Sequence, residues 1–581
     1  MLLKILQTLQ FLSRQGLALR GDEDEKDSNF IQALLLLGKE DPSILEWLTK
    51  KQLKYTSHEI QNEFLRIMSH QILRNLSACI SKSTYFTILA DECTDVSNHE
   101  QFTICIRWVD DELTPHEDFL GLYQVDTITS ETLFNALMDV IQRLNLDIKK
   151  CRGQCFDGAS NMAGSKSGVA KRIKDVEPRA IFSHCYGHSL NLAVSDVFKD
   201  IPLFRDTLDT SMEITKLIKF SPKREAIFEK LKKEFQPDSP GIRQLSSTRW
   251  TVKGDTFKSI EKNYLVLMQL WEVCLEQKGL ESEIKARLNG IKAQMEQFSF
   301  LFGLLLSQII FQHADNLSRT LQSQSVSASE GQQVAEMVVK TLETLRNEQS
   351  YNMFWEKVNK ASREYGTDEP KLPRKRKMPQ RFQIGNDDGY FQQNAQSHYR
   401  QLYFQVLDVT IACIKSRFSQ EGYKILKHTE NLLLNASSNA NYDEEMKIVT
   451  EFYKDDLNKE KLATQLQLLP CLFDEAVNIS VLKTKFMQLT TAQKVLFDEV
   501  ALLWKLLLCI PATNATSERS FSTMRRVKSY LRGSMGQERL NHLMILNVHK
   551  HQTDDLNLKA VANDFINSKT QRSSYFSTFL F

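Results

Sequence analysis

The chain of 581 residues has almost no net charge, no long hydrophobic run and no clustering of its cysteines. Its 74 Lys and Arg residues against 72 Asp and Glu leave a formal charge of +2. There is therefore no global electrostatic case for binding nucleic acid, and any basic surface must be local. The longest apolar stretch, Phe298 to Phe311, is 14 residues and contains Ser and Gln. That is short of the ~20 residues a membrane span needs, so it reads as a buried core helix and no membrane partner is expected. The ten cysteines are scattered, and Met1 to Leu12, though apolar and helical in pattern, has no small-residue cleavage site. A reducing, intracellular setting is expected rather than a disulfide framework. No internal repeat is present.

What is present is a pattern of short β-favouring runs among helical ones. Residues 1–80 read as helices broken by an acidic loop at Gly21 to Asp27. Tyr85 to Ala90 is a strand, Gln101 to Val109 alternates with Phe102, Ile104, Ile106 and Trp108 on one face as a half-buried strand, and Asp118 to Val125 returns as a third. A helix follows, with Thr129 or Ser130 as N-cap and the stripe Leu133, Leu137, Val140 and Leu144. Then come a strand near Gln154 to Phe156, a helix near Val169 to Lys174 and a strand at Ala180 to Ser183. The succession β-β-β-α-β-α-β is that of a ribonuclease-H-like α/β core with a mixed sheet. From about 188 to 480 the pattern is almost wholly helical. It is interrupted by a polar loop at 366–389 that contains Lys375, Arg376 and Lys377, a nuclear-import signal or a phosphate-contacting patch.

Two acidic segments carry the chemistry. Asp91 closes the run Ile88-Leu89-Ala90, and Asp157 closes Cys155-Phe156. Aspartates at neighbouring strand ends offer the hard oxygen ligands that Mg²⁺ or Mn²⁺ prefers. Far downstream, Pro511 ends an apolar helix, and Thr516 or Ser517 can cap the next. Glu518 lies on the border of that helix's apolar stripe, where a carboxylate can face a sheet as a third metal ligand. His184, Cys185 and His188, with Cys151 and Cys155 as conceivable partners, lack the spacing of a zinc finger; a structural or bracing role is the expectation there.

Several segments occur in an order that resembles the hAT superfamily of transposases, and within it the zinc-finger MYM-type-like and DUF4371-bearing members. They are Phe11-Leu12-Ser13-Arg14-Gln15-Gly16-Leu17, Ala90-Asp91-Glu92-Cys93-Thr94-Asp95, Cys155-Phe156-Asp157-Gly158-Ala159-Ser160-Asn161, His184-Cys185-Tyr186-Gly187-His188, Ser247-Thr248-Arg249-Trp250, and Ala515-Thr516-Ser517-Glu518-Arg519-Ser520-Phe521 leading into Arg539-Leu540-Asn541. The resemblance implies a helical N-terminal region at 1–80 and a ribonuclease-H-like core beginning at 81–250. It further implies a large all-α insertion at 251–480 and a closing segment at 481–581 with the catalytic glutamate and a dimerisation region. It places a DDE triad on Asp91, Asp157 and Glu518, holding two Mg²⁺ or Mn²⁺ ions for DNA strand cleavage and transfer. DNA contacts fall to Arg249, Trp250, Lys375, Arg376 and Lys377; Trp250 would stack on a flipped base. Leu503, Trp504, Leu507 and Phe521 fall to self-association, and the expected compartment is the nucleus. The zinc-binding DNA-recognition module usual in such proteins does not appear in the sequence. The alternative reading is therefore a domesticated, catalytically silent DNA- and protein-binding factor that regulates transcription.

Overall fold

The computed structural model describes residues 1–20, 25–186, 188–190, 192, 196, 201–243, 253–321, 328–372, 394–418, 421–471 and 478–579. Five strands form one mixed sheet: β1 (Phe86–Thr94), β2 (Glu100–Val109), β3 (Pro115–Val125), β4 (Cys151–Phe156) and β5 (Ile181–His184). Their spatial order is β3-β2-β1-β4-β5. The first three strands pair antiparallel through short turns, whereas β4 joins β1, and β5 joins β4, in parallel. The parallel pairs need crossovers, and helices Ser130–Arg143 and Val169–Val176 supply them. The succession of strands and crossovers is the one the hydrophobic pattern predicts. Thr129 caps the first crossover helix, its side chain accepting from the Thr132 N–H.

One expectation fails in an informative way. β2 is buried on both faces, not one: Gln101, Thr103, Cys105 and Arg107 are as inaccessible as Phe102, Ile104 and Ile106. Alternation in sequence normally marks one wet face. Here the polar face is covered by helices Asp498–Cys509 and Ala515–Val527 and its polar groups are paired. Arg107 donates to the Leu508 carbonyl and to Glu117, Thr103 shares a 2.9 Å hydrogen bond with Ser520, and Gln101 bonds Asp95 and Gln537. Burial without those partners would cost several kcal/mol per group.

The chain divides into two compact units. One contains Met1–Cys185 and Gln420–Phe581, and the other contains Tyr186–Gln322 and Glu330–Ser419. The sequence reading put the helical insertion at 251–480. Helices Glu421–Ser437, Asp443–Phe452 and Lys459–Leu468 fall instead in the unit with the sheet, because helical periodicity does not reveal which body a helix packs on. In the sheet unit, one apolar core joins the amino-terminal helices to the carboxy-terminal ones: Leu6, Leu9, Phe64 and Met68 pack with Phe521, Leu543, Met544 and Phe565. The second core, on the opposite sheet face, gathers Ile88, Ala90, Ile104, Leu133, Leu137 and Ile173. Every described secondary-structure element of the other unit is helical. It is organised on Phe298–Leu321, whose Phe298 and Phe302 meet Trp355, Phe354 and Tyr399 at ring separations of 4.7–5.4 Å. Among the described residues no helix is long and apolar enough to cross a membrane.

Two motif residues prove structural. Asn541 accepts from the Leu122 N–H beside Gly121, a position with φ +154° at the irregular step of the β2–β3 pairing. Asp95 and Lys528, both at most 2% exposed, pair at 2.6 Å. Burial alone would push Asp95 up, but the Lys528 ammonium and the His99 and Ser97 N–H groups hold its carboxyl below the usual aspartate range. Removing one partner of such a pair typically costs about 3–5 kcal/mol. Lys528→Met is therefore expected to lower the urea midpoint of the sheet unit, and Asp95→Asn with Lys528→Met to recover part of that loss. An unchanged midpoint for the single variant would contradict the assignment.

Candidate metal and nucleic-acid site

Asp91 lies near the end of β1, on the face that looks toward helix Ala515–Val527. The strand alternates: Thr87 approaches Cys509 at 3.4 Å and Leu89 joins the core of the terminal helices, while Ile88 and Ala90 join the opposite core. Asp157 follows β4 directly. The last registered pair of the β1–β4 ladder is Leu89 with Cys155, so two residues further along each strand stand Asp91 and Asp157. Adjacent parallel strands place those two side chains on the same face. The Asp157 Oδ1 accepts from the Ala159 N–H at 3.1 Å, a turn that fixes the carboxylate at the head of the following loop.

Glu518 is brought to the same sheet end by the way its helix docks. Thr516 and Ser517 were the expected caps, yet the helix begins at Ala515 with Asn514 in the cap position. The Asn514 side chain does not cap; its Nδ2 donates to the Ala90 carbonyl at 2.6 Å, one residue before Asp91. Asn514 N–H also donates to the Cys185 sulfur just past β5. One turn along, Ser520 bonds Thr103, the β2 residue directly opposite Asp91 in the ladder. Thr516 donates to Glu117, which also takes the buried Arg107. The far end of the helix is held by Lys528 on Asp95. Asn514 and Lys528 thus fasten one helix to β1 and its turn at both ends.

The electrostatics register the result. Burial pushes the Asp91 carboxyl well above the usual aspartate range, and the charges of Glu518 and then Asp157 push it further; the Glu92 N–H donating to its Oδ1 pulls the other way. Glu518 keeps an exposed face, yet the protein crowded around it raises its carboxyl too, against the pull of Arg519. Glu92, on the opposite face of β1, is half-buried and raised by burial, with Asp157 adding to the shift. Its Oε1 accepts from Asn161 while its Oε2 is buried with no hydrogen-bond partner. An Asp91 carboxyl raised by burial and by the charges of Glu518 and Asp157, with hard oxygen donors on all three, suits divalent cations in charge and donor type. Among the described residues, however, no three His, Cys, Asp or Glu side chains are grouped closely enough to ligate one ion. The carboxylates share a field and not a coordination sphere.

Other sequence candidates fall differently. Arg249, Trp250, Lys375, Arg376 and Lys377 lie outside the described residues. Leu503, Trp504, Leu507 and Phe521, assigned from the sequence to self-association, are buried within one chain at 0–7% exposure. An apolar stripe looks alike whether its partner is the same chain or another. Exposed apolar side chains in this region are instead Val495, Leu496, Tyr530 and Leu531. Cys151 and Cys155 are buried in β4, and burial pushes their thiols up, Cys151 to about 12; Cys185 accepts the Asn514 N–H. Sequence reasoning did not single out Asn514, Asn161 or Lys528. Their roles depend on contacts hundreds of residues away, although Asp95 and Asn161 stood inside segments already noted.

The mixed sheet thus carries Asp91 and Asp157 at neighbouring strand ends, and the helix that bears Glu518 packs against it. Two family models match the chain. A ZMYM1/FAM200 RNase-like domain (DUF4371) covers residues 1–168, and the hAT family C-terminal dimerisation region covers 472–551. The chain is also similar to the 52 kDa repressor of the inhibitor of the protein kinase from Homo sapiens, 22% identical over 542 residues, or 89% of this chain and 68% of that protein. The Mus musculus counterpart is 23% identical over 545 residues, 89% and 69%. By these matches the chain resembles transposase-derived proteins of the hAT type, and residues 472–551 match that family's dimerisation region.

The raised Asp91 carboxyl gives a signed prediction. Its folded pKa lies above the unfolded one, so ionisation costs stability at neutral pH, and the cost vanishes below roughly pH 4, where both states are protonated. Asp91→Asn retains the Oδ1 that accepts from Glu92. It is expected to raise the thermal midpoint at pH 7.5 and to give no gain near pH 4. A lower midpoint at pH 7.5 would remove the claim that burial and the charges of Glu518 and Asp157 burden the Asp91 carboxylate.

Proposed function

We propose that the sheet unit is a ribonuclease-H-like core retaining a transposase-type site, in which Asp91, Asp157 and Glu518 hold Mg²⁺ or Mn²⁺ and direct cleavage of DNA strands. The observation that carries this reading is the pair of charges acting on Asp91: they come from Glu518, more than 400 positions away, and from Asp157. A divalent ion would supply Lewis acidity and a bound water of lowered pKa. The chain's part is to orient the three carboxylates, through Asn514 on the Ala90 carbonyl, Ser520 on Thr103 and Lys528 on Asp95. The protein acts as a homodimer through its dimerisation region, with Tyr530, Leu531, Val495 and Leu496 as the apolar residues free to meet a second copy. DNA as the substrate implies a nuclear location.

A second reading has its own support. The relatives carry the name of a repressor, and the three carboxylates are not drawn into a ligand group, as expected of a domesticated factor that binds DNA and protein without cutting.

Nicking of a labelled duplex with Mg²⁺ or Mn²⁺ separates the two. The wild-type chain, with the mass of two copies by light scattering, is expected to nick. Asp157→Asn is expected to lose at least a hundredfold in rate while remaining dimeric. Equal rates would overturn the triad; absence of nicking by a folded, dimeric wild type would establish the silent form.

A further inference from the structure

Apart from the carboxylate site, the sheet unit has a cleft of about 1490 Å³ along the edge strand β5. One wall is helix Val169–Val176 with the turn before β5. The other is formed by helices Glu421–Ser437 and Asp443–Phe452 and the residues after them. Gly422 permits this closeness, since a side chain there would meet the Phe182 carbonyl at 2.9 Å. The cleft runs from Arg179 and Ala180 at the start of β5 to His184 at its end, and includes Ala163 and Gly164 of the loop that Asp157 opens. Four strand residues span roughly 13 Å.

The lining charge is positive because the acids are already spent. Glu177 is held by Arg179 at 2.7 Å and lies 3.7 Å from Arg152, and Asp455 lies 3.5 Å from Arg179. Lys149, Lys174, Lys424 and Lys454 line the cleft, are exposed, and have no carboxylate within 4 Å among the described residues. Glu451 is the remaining acid on the rim. Two half-buried aromatics, Phe182 on β5 and Phe452 on the facing helix, line the same space. Unpaired lysines that follow a backbone, with aromatic faces for bases between them, make up the chemistry of single-strand recognition.

We propose that this β5 cleft binds a single-stranded DNA segment, its phosphates on Lys174, Lys424 and Lys454 and its bases against Phe182 and Phe452. The inference rests on the reading of DNA as substrate and gives that substrate a binding track leading from the Asp157 loop. The chain's near-zero net charge does not oppose it, since the positive field is confined to one cleft.

The test is fluorescence anisotropy of the full chain with a labelled mixed-sequence 15-nucleotide single strand and its duplex, in EDTA so that cleavage plays no part. The wild type is expected to prefer the single strand. The Lys174→Glu, Lys424→Glu, Lys454→Glu triple variant is expected to weaken binding at least about thirtyfold and to flatten the salt slope by about 2, at ~0.7 per phosphate. Phe182→Ala with Phe452→Ala is expected to weaken it about tenfold with the slope unchanged. Should the aromatic variant misfold, the exposed lysines decide alone. Wild-type affinity and slope in the lysine variant would overturn the proposal, as would wild-type preference for the duplex. Neither result would touch the triad, which cleavage by the wild type against Asp157→Asn judges separately.

Discussion

Helix Ala515–Val527 is fastened to β1 at both ends, and the site depends on that fastening. At one end Asn514 reaches the Ala90 carbonyl; at the other, Lys528 is buried against Asp95 in the β1–β2 turn. Between them Ser520 meets Thr103 across from Asp91. These are polar contacts in a dry interface, where a missing partner is expensive and a present one fixes register. Apolar packing alone would let the helix slide along its axis. Because Glu518 is one turn in from the first anchor, its distance from Asp91 is set by the anchors more than by its own surroundings.

The anchors also explain how so remote a segment joins the sheet. The residues between Cys185 and Gln420 are mostly a separate helical unit in contact terms, so the sheet unit is built from two stretches of chain. The amino-terminal helices and the carboxy-terminal ones share a core, with Phe64 against Phe565 at a ring separation of 4.2 Å. The matched RNase-like domain and dimerisation region lie in those two stretches. Neither stretch alone carries all three carboxylates.

Much of this was legible in the chain. Strand runs, the Thr129 cap and the two strand-end aspartates follow from local periodicity and turn chemistry, which are properties of neighbours in sequence. Glu518 was found by its place on a helix border and by the resemblance. What was hidden depends on tertiary partners. The second buried face of β2 could not be read from alternating polar residues, because their partners come from residues 498–527 and 537. The stripe at Leu503, Trp504 and Leu507 could not be apportioned between core and interface by pattern alone. The helices after residue 421 follow the same period whichever unit they join. Asn514 looks in sequence like an ordinary helix-flanking residue, and only the Ala90 carbonyl reveals its use.

The proposal to be judged is that a divalent cation draws Asp91, Asp157 and Glu518, which share a field without a common coordination sphere, into one site at the end of β1 and β4. The most direct measurement is the anomalous signal of crystals grown with Mn²⁺, collected near the manganese edge. The account predicts an anomalous peak bounded by those three carboxylates and absent in Asp91→Asn crystals. A structure with the carboxylates ordered, Mn²⁺ bound elsewhere or nowhere, and no peak between them would contradict it.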